Sequence, residues 1–430
     1  MTIDLHAKTV PAILLCIFFC LCATNAHADD TARPERLRIG LFNLLKPTKI
    51  SLQSANTLQL ELLPAEKEAS TIEAPLAVGE KIALAITAEG LACRWQGPSG
   101  ILSNRLVRRV RLFSAGEASI TVTIPGKLVR QLPLPIEFQS YQQTIQTVID
   151  TDEETAVAIS TASELAAGGT LAVFKAQAIV VRSYLRAMRG RHNVDGYDLC
   201  DNTHCLLYYG EDIFTRVSDR EAIQHAVTET AGMVLSYQEK ILPAYFTASC
   251  GGVTALPGEV WSNEPDSPAN QGFRSVRCSY CRGKRFYRWE RAVSVRALWA
   301  ALRPVLGFIP GEEAEIKVQQ RTPAGFVTTL LVEDKNRQVE LAATRFRHLI
   351  GVQLGWNVVL SNSFQILRRG RQIIFTGRGF GHNLGLCMTG AVEQARRGRN
   401  FQHILNYYFP GASLSVAPSV PGEKGKVALE

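Results

Sequence analysis

The sequence lacks the features that mark membrane-embedded, repetitive and disulfide-stapled proteins. Beyond residue 28 it has no apolar run close to the ~20 residues that cross a bilayer, so the mature chain is not expected to span a membrane. It also has no internal repeat and no low-complexity block, which argues against solenoid and collagen-like architectures. The seven cysteines beyond residue 28 are an odd number, so a closed disulfide framework cannot include all of them. Some thiols must be free, buried or bound to metal.

The first 28 residues predict a secretory signal peptide. Lys8 supplies a weakly positive start, residues 11–23 are almost entirely apolar, and Ala26-His27-Ala28 has the small–x–small pattern of a cleavage site. An uncleaved N-terminal anchor is the alternative, although the apolar stretch is short for a membrane span. We expect an exported mature protein that resides in the periplasm or is associated with the cell wall.

Positive charge exceeds negative charge in this sequence. The formal net charge is +8, from 47 Lys and Arg residues against 39 Asp and Glu residues. In an exported protein this excess favours an anionic polymer such as cell-wall glycan over nucleic acid as a partner. A basic surface that serves only solubility is the alternative.

The pattern of apolar residues predicts an α+β protein with a β-rich N-terminal module over 34–138. Apolar and polar residues alternate there in short runs bounded by Gly, Ser and Pro. The segment 132–135, Leu-Pro-Leu-Pro, is expected to be extended and to mark a boundary. A mixed domain follows over 140–412, and the Pro/Gly/Lys-rich residues 413–430 predict a flexible tail.

Several helices and one hairpin are predicted in the mixed domain. Residues 171–188 carry apolar side chains at steps of three and four, with Thr170 as N-cap and with Lys175, Arg182 and two further arginines on the opposite face. Ser218 and Glu221 fit a capping box that opens a second helix. A hairpin is expected over 233–247, and two more helices over 342–350 and 390–408, the latter split near Gly398.

Two thiols and two imidazoles form the first candidate metal site. Cys200, His204 and Cys205 lie within six residues, and His192 precedes them by eight positions. This set suffices for tetrahedral zinc, and four protein ligands leave no open coordination position, so its role would be structural. The alternative is a short disulfide between Cys200 and Cys205, with both histidines idle.

The remaining cysteines give weaker signals. Cys278-x-x-Cys281 together with Cys250 predicts a disulfide between two of the three, and a second metal site is the alternative. Cys387 and Cys93 are each expected to be small buried core residues.

A series of motifs resembles the SpoIID/LytB family over roughly 140–412. Their order along the chain is Ser163-Glu164, FKAQAIVVRSY at 174–184, DLCDNTHC at 198–205, SCGGVT at 249–254, EVW at 259–261, SNSF at 361–364, GRGFGHNLGLCMTGA at 377–391 and HILNYYFPG at 403–411. The resemblance implies work on peptidoglycan. Sporulation members are lytic transglycosylases that act on glycan strands stripped of stem peptides, and LytB-type members are described as amidase modifiers.

The resemblance assigns the acid/base role to Glu164, which stands where sporulation members carry their catalytic glutamate. Such a group must remain protonated near neutral pH, so its pKa must lie well above the ordinary value of about 4.3. The alternative is a solvated glutamate in an Ala-rich turn. The function that follows is a lytic transglycosylase, and the second candidate is a non-catalytic peptidoglycan-binding protein that modulates a cell-wall amidase.

Other roles follow from the same resemblance. Some family members bind zinc through a matching Cys/His cluster. Gln177 and Arg182, on the helix after Glu164, are candidate cleft residues. The loop 377–385 lacks the βαβ setting of a dinucleotide site; its glycines allow close approach of a ligand, and His382 is a candidate for hydrogen bonds to sugar hydroxyls. Asn383 replaces a glycine that is common in the family.

Overall fold

The alternating N-terminal region forms strands that bury every second side chain, as their pattern requires. We analysed a computed structural model, which describes residues 36–66, 68–97, 100–116, 118–165, 168–262, 270–417 and 425–426. The predicted signal peptide lies outside these residues. The first strands are β1 (Arg36–Leu41), β2 (Lys49–Gln53), β3 (Leu58–Pro64), β4 (Ile72–Leu76), β5 (Lys81–Thr87), β6 (Gly90–Gly97), β7 (Gly100–Phe113), β8 (Ser119–Ile124), β9 (Leu128–Pro133), β10 (Ile136–Tyr141) and β11 (Thr144–Asp152).

These strands belong to one sheet that continues past the expected boundary. With β12 (Leu199–Cys200), the strand order is β12-β1-β11-β10-β7-β6-β5-β2-β8-β9, and β3 pairs with β7 and with β4. β1 is antiparallel to β11 and parallel to β12. One hydrophobic core extends from Leu37 to Leu414. The β-rich character of 34–138 is therefore observed, but the segment 132–135 does not separate two cores.

The α-helices in the described residues are α1 (Glu153–Glu164), α2 (Leu171–Ala187), α3 (Arg220–Glu229), α4 (Val295–Leu306), α5 (Ala343–Leu354), α6 (Met388–Arg396) and α7 (Phe401–Tyr408). Five of these seven α-helices lie where the sequence predicted helices, and α1 and α4 were not predicted. Thr170 is the N-cap residue of α2, and the predicted split near Gly398 separates α6 from α7. The capping box at Ser218 is wrong: the N-cap of α3 is Asp219, with no side-chain cap. The fold is a mixed α+β arrangement.

Short strands complete the second half of the chain. They are β13 (Met233–Tyr237), β14 (Lys240–Ile241), β15 (Phe246–Thr247), β16 (Trp289–Ser294), β17 (Glu315–Arg321), β18 (Val327–Asp334), β19 (Arg337–Ala342), β20 (Phe364–Arg369), β21 (Gln372–Gly377), β22 (Leu386–Cys387), β23 (Ser413–Val416) and β24 (Gly425–Lys426). β13 and β14 form the start of the predicted hairpin. β23 pairs with β13, so the expected flexible tail begins with an ordered strand.

A second core lies among β16–β21, α4 and α5. It is lined by aromatic and aliphatic side chains, among them Trp289, Trp299, Phe346 and Phe375. Within the described residues, no helix is both long enough and apolar enough to cross a membrane.

Helix α2 is buried on all sides, which the sequence pattern did not predict. It contacts α1, α3, α6, α7 and β13. Every residue from Ala176 to Leu185 is buried, including Gln177 and Arg182, which are 0% exposed. The small Ala and the β-branched Val and Ile residues between the predicted apolar positions allow neighbours to pack against the whole circumference. The expectation of a solvated arginine face is therefore wrong for Arg182.

Two arginines of α2 bind two glutamates at the start of α1. Arg182 donates from Nε and Nη2 to the carboxylate of Glu154 at 2.8 and 2.6 Å, and from Nη1 to the carbonyl oxygen of Met233 at 3.1 Å. Arg186 binds Glu153 at 2.7 to 2.9 Å, and both side chains are almost fully buried. These planar, bidentate contacts satisfy charges that burial would otherwise make costly.

We predict that Glu153→Ala destabilises the fold by about 3 kcal/mol, because it deprives the buried Arg186 guanidinium of its carboxylate partner. Urea unfolding followed by circular dichroism measures the effect. Glu315→Ala is the control, since Glu315 pairs with Lys317 on the exposed surface and its loss should have a much smaller effect. Equal and small effects of the two substitutions would contradict the assigned role of the buried pair.

Candidate functional site

Glu164 is the last residue of α1, and its side chain is half-buried. Its Oε1 accepts a hydrogen bond from the backbone N–H of Leu207 at 3.0 Å. Burial raises the pKa of this carboxyl to about 7, and the hydrogen bond from Leu207 opposes that rise only in part. The C-terminal end of a helix carries partial negative charge, which also disfavours the ionised carboxylate. A fully solvated glutamate in a turn does not fit this position.

The backbone segment 207–209 lies along the end of α1. Besides the contact between Leu207 and Glu164, the N–H of Tyr209 donates to Oγ of Ser163 at 3.2 Å. Ser163 in turn donates to the carbonyl oxygen of Ile159 within α1. Two consecutive helix residues are thus held by one backbone segment, which restricts the orientation of the Glu164 side chain.

The four predicted zinc ligands converge in the structure. One ligand atom from each of His192, Cys200, His204 and Cys205 lies within 4.8 Å of the other three. Nδ1 of His204 is 3.2 Å from Nε2 of His192, 3.6 Å from Sγ of Cys200 and 3.7 Å from Sγ of Cys205. Both thiols are free, so the alternative disulfide between them is not present.

Neighbouring side chains orient these donors. Nδ1 of His192 lies 3.1 Å from Oδ2 of Asp195, which leaves Nε2 facing the cluster. Tyr141 also donates to Asp195, and the pKa of Asp195 is lowered first by its hydrogen bond with His192 and then by that with Tyr141. The hydrogen bond with Cys200 holds the pKa of the Cys205 thiol well below its usual range. A soft, partly deprotonated donor set of this kind suits zinc.

The metal-ligand cluster and the candidate acid are connected by a very short stretch of chain. Cys205 is the last of the four ligands, and Leu207, only two residues later, donates to Glu164. On the other side, β12 contains Cys200 and pairs with β1 of the large sheet. The loop that holds the cluster is therefore anchored to the sheet at one end and to the candidate acid at the other.

The glycine loop at 377–385 connects β21 to β22 and approaches neighbouring backbone closely. Gly381 has φ +111°, and a Cβ there would meet the side chain of Thr247. Gly385 has φ +64°, and a Cβ there would collide with the carbonyl oxygen of Tyr245. Asn383 has φ +65°, a left-handed conformation that asparagine tolerates better than most residues. The replacement of glycine by Asn383 therefore preserves the turn.

His382 lies in an aromatic group with Tyr245 and Trp261. The ring centroids are 6.2 Å from His382 to Tyr245, 5.8 Å from His382 to Trp261 and 4.6 Å between Tyr245 and Trp261. Burial, followed by the nearby charge of Arg347, lowers the pKa of His382 to about 3, so the ring is neutral. Its Nδ1 accepts a hydrogen bond from the N–H of Leu384 at 3.0 Å. Nε2 consequently carries the ring proton.

The two candidate cleft residues of α2 are not available to a ligand. Arg182 is enclosed by its ion pair with Glu154, and Gln177 is fully buried among neighbouring side chains. The expected substrate-binding roles of Gln177 and Arg182 are therefore wrong. Helical spacing placed both on a polar face, but packing on every side of α2 removes that face from solvent.

The structure adds features that the sequence did not reveal. The amide of Leu207 has no side-chain signature. Tyr245 comes from a loop and Trp261 from the short helix Gly258–Ser262, both far in sequence from His382. The disulfide expected among Cys250, Cys278 and Cys281 is not present, since all three thiols are free. Cys387 joins these three in one cluster, which its isolated position in the sequence did not indicate.

Comparisons with known proteins agree with the motifs. A family model described as Stage II sporulation protein (SpoIID) matches residues 141–237, and a domain of unknown function, DUF8618, matches residues 273–385. The chain is 26% identical over 297 residues to Stage II sporulation protein D of Bacillus subtilis (strain 168), covering 66% of this chain and 80% of that protein. It is 25% identical over 302 residues to the protein of the same name from Bacillus amyloliquefaciens, with the same coverage.

A relative with another name matches more weakly. The chain is 21% identical over 297 residues to the Amidase enhancer of Bacillus subtilis (strain 168), covering 59% of this chain and 39% of that protein. The SpoIID domain contains the candidate acid, α2 and the Cys/His cluster, which are the elements that the site geometry brings together. These relatives and this domain support a SpoIID/LytB family protein.

Proposed function

We propose that this protein is an exported lytic transglycosylase that cleaves the glycan strands of peptidoglycan with Glu164 as its single acid/base. The names of its relatives, a sporulation protein and an amidase enhancer, support a role at the cell wall. Strands already stripped of stem peptides are the proposed substrate.

The observation that carries this proposal is the pKa of Glu164, which burial raises to about 7. Departure of a sugar oxygen requires a proton donor that is still protonated near neutral pH. An exposed glutamate would have lost this proton. The half-buried position at the end of α1 leaves a large fraction of Glu164 protonated near neutral pH.

The chemistry needs only one carboxyl group. Glu164 donates its proton to the glycosidic oxygen as the bond from that oxygen to C1 of the muramyl residue breaks. The resulting carboxylate then accepts the proton of the C6 hydroxyl of the same muramyl residue as that oxygen bonds to C1. An anhydromuramyl end forms, no water is consumed, and Glu164 returns to its protonated state.

The other carboxylates of α1 support a single-acid scheme. Some glycosidases activate water and others form a covalent intermediate. Both kinds place a second carboxylate on the other side of the glycosidic bond. Glu153 and Glu154 are the closest candidates along the chain, but Arg186 and Arg182 hold both of them at the opposite end of α1. We therefore assign Glu153 and Glu154 a structural role.

His382, Tyr245 and Trp261 are the proposed sugar-binding group. Trp261 is 49% exposed, and an aromatic face of this kind stacks well against the apolar face of a sugar ring. The neutral His382 carries its proton on Nε2, and this nitrogen would exchange its hydrogen bond with the backbone of Phe246 for one with a sugar hydroxyl. The net charge of +8 favours an anionic polymer.

We also propose that His192, Cys200, His204 and Cys205 hold one zinc ion. The donor set is that of a closed structural site, so the ion would supply rigidity and no reaction chemistry. Its effect on activity would pass through Leu207, because the loop that ends at Cys205 positions the amide that binds Glu164. Zinc would thus keep the acid in place.

The direct test is mass spectrometry of sacculi that have been treated with amidase and then with the purified protein. We expect new anhydromuramyl ends. New reducing ends would indicate a hydrolase and overturn the single-acid scheme. No new ends, together with faster stem-peptide release when a cell-wall amidase is added, would instead identify a non-catalytic modulator of that amidase.

We predict that Glu164→Gln lowers turnover by roughly 10²–10⁴-fold, because the amide cannot deliver a proton. Release of anhydromuramyl products measures turnover, and sedimentation with sacculi measures binding, which should persist. The control is Glu221→Gln, an exposed glutamate in the first turn of α3, which should retain parental activity. A Glu164→Gln protein with near-parental turnover would rule out Glu164 as the acid.

The same substitution should change the pH dependence of stability. Folding raises the pKa of Glu164 from 4.5 to about 7, so the stability that protonation confers is lost as the pH rises through this interval. Glutamine does not ionise and avoids this loss. The melting temperature of Glu164→Gln minus that of the parent should therefore be larger at pH 8 than at pH 5, as thermal unfolding measures. A constant difference would contradict the raised pKa.

We predict that Cys205→Ser loses about one zinc ion per chain, since it removes one of four ligands. Its melting temperature and turnover should fall together, because the Leu207 contact with Glu164 loosens. Elemental analysis of protein purified without added metal tests this, with His225→Ala, an exposed histidine on α3, as the control that keeps its metal. Substoichiometric zinc in the parent together with a disulfide between residues 200 and 205 would contradict the assignment of a zinc site to this cluster.

A further inference from the structure

Four cysteines that the proposed chemistry does not use meet in the interior. Cys250 follows β15, Cys278 and Cys281 belong to one turn, and Cys387 ends β22 at the N-cap of α6. Their four Sγ atoms all lie within 4.8 Å of one another. Each of the four residues is at most 2% exposed.

We propose that Cys250, Cys278, Cys281 and Cys387 form a second, structural zinc site. This site is separate from the Cys/His cluster and does not depend on the glycan-cleaving activity. The two sites share no residue.

The spacing of the sulfurs fits one ion. With Zn–S bonds of about 2.3 Å, tetrahedral geometry separates sulfurs by about 3.8 Å. Sγ of Cys250 and Sγ of Cys281 are 3.6 Å apart, and all other pairs remain within 4.8 Å. A disulfide would bring two sulfurs to about 2 Å. A four-iron cluster would place an inorganic core between the cysteines and hold them further apart.

The surroundings supply hydrogen-bond donors to the sulfurs, as a thiolate site requires. The N–H groups of Cys250 and Gly390 donate to Sγ of Cys387 at 3.2 and 3.4 Å. The hydroxyl of Tyr408 lies 3.2 Å from Sγ of Cys278. Such donors stabilise the negative charge of a cysteine thiolate and orient the ligands.

Gly390 leaves room for the four-cysteine cluster because it has no Cβ. A Cβ at this position would collide with the hydroxyl of Tyr408 and lie 3.0 Å from Sγ of Cys278. Any larger residue at 390 would displace a sulfur or its hydrogen-bond donor. The cluster is therefore enclosed by α6 and α7, with no room for an additional ligand on that side.

The site would hold the loop that carries His382. The carbonyl oxygen of Cys250 accepts a hydrogen bond from Nδ2 of Asn383 at 3.0 Å. Ser249 and Phe380 exchange two backbone hydrogen bonds, at 2.8 and 3.1 Å. Zinc bound by Cys250 and Cys387 would fix the chain on both sides of this contact. A zinc ion in the Cys/His site would likewise hold the segment 207–209, which donates a hydrogen bond to Glu164.

The experiment is elemental analysis of the full mature chain purified without added metal, combined with mass-spectrometric mapping of alkylated thiols. We expect about two zinc ions per chain and no disulfide. Cys281→Ser should reduce zinc to about one per chain. His192→Ala/His204→Ala, which removes two ligands of the other site, should also leave about one.

Cys93→Ser is the matched control, because Cys93 is an equally buried cysteine in β6 outside both clusters and should leave the zinc content unchanged. If Cys281→Ser does not fold, the metal content and thiol map of the parent and of His192→Ala/His204→Ala still decide the question. Three results would overturn the proposal: a disulfide among the four cysteines, iron in place of zinc, or complete loss of zinc from His192→Ala/His204→Ala.

Discussion

The pairing of α1 with a fully buried α2 is the constraint on which the candidate site depends. Arg182 is fully buried and binds Glu154. Arg186, whose side chain is 9% exposed, binds Glu153. The two helices therefore cannot slide or separate without breaking these ion pairs. Glu164 stands at the opposite end of α1 from these pairs. Its position is therefore set by a helix whose first turn is held by the ion pairs.

Loops around the site combine buried apolar residues, such as Leu206 and Leu384, with polar cross-links. The loop after α2 is tied to Glu164 through Leu207, and the loop at 377–385 is tied to Cys250 through Asn383. Each loop is adjacent to a set of four clustered metal-ligand side chains. A zinc ion in each proposed site would order the neighbouring loop. The proposed acid at the end of α1 and the proposed sugar-binding histidine in the loop 377–385 would then keep their places.

Local patterns in the sequence predicted much of this arrangement. The periodicity of 171–188, the break near Gly398 and the turn of the hairpin predicted over 233–247 depend on contacts within a few residues, and the structure confirms them. The second strand of that hairpin is shorter than predicted, because Phe246 and Thr247 pair with β22 instead. The convergence of His192, Cys200, His204 and Cys205 was predictable for the same reason, since twelve residues or fewer separate any two of them. The position of Glu164 came from the family motif, because an isolated glutamate carries no signal of its burial.

The sequence by itself therefore determined five of the seven described α-helices, the strands at the start of the described chain and the likeness of the motifs to one family. It also indicated that His192, Cys200, His204 and Cys205 lie together. The tertiary structure alone decided which polar residues are buried and which distant residues meet. It enclosed Gln177 and Arg182 because helices and a strand pack around all of α2, and it brought Cys387 to Cys250 across more than a hundred residues. The physical reason is that periodicity reports one face of an element, whereas burial depends on how many neighbours surround it.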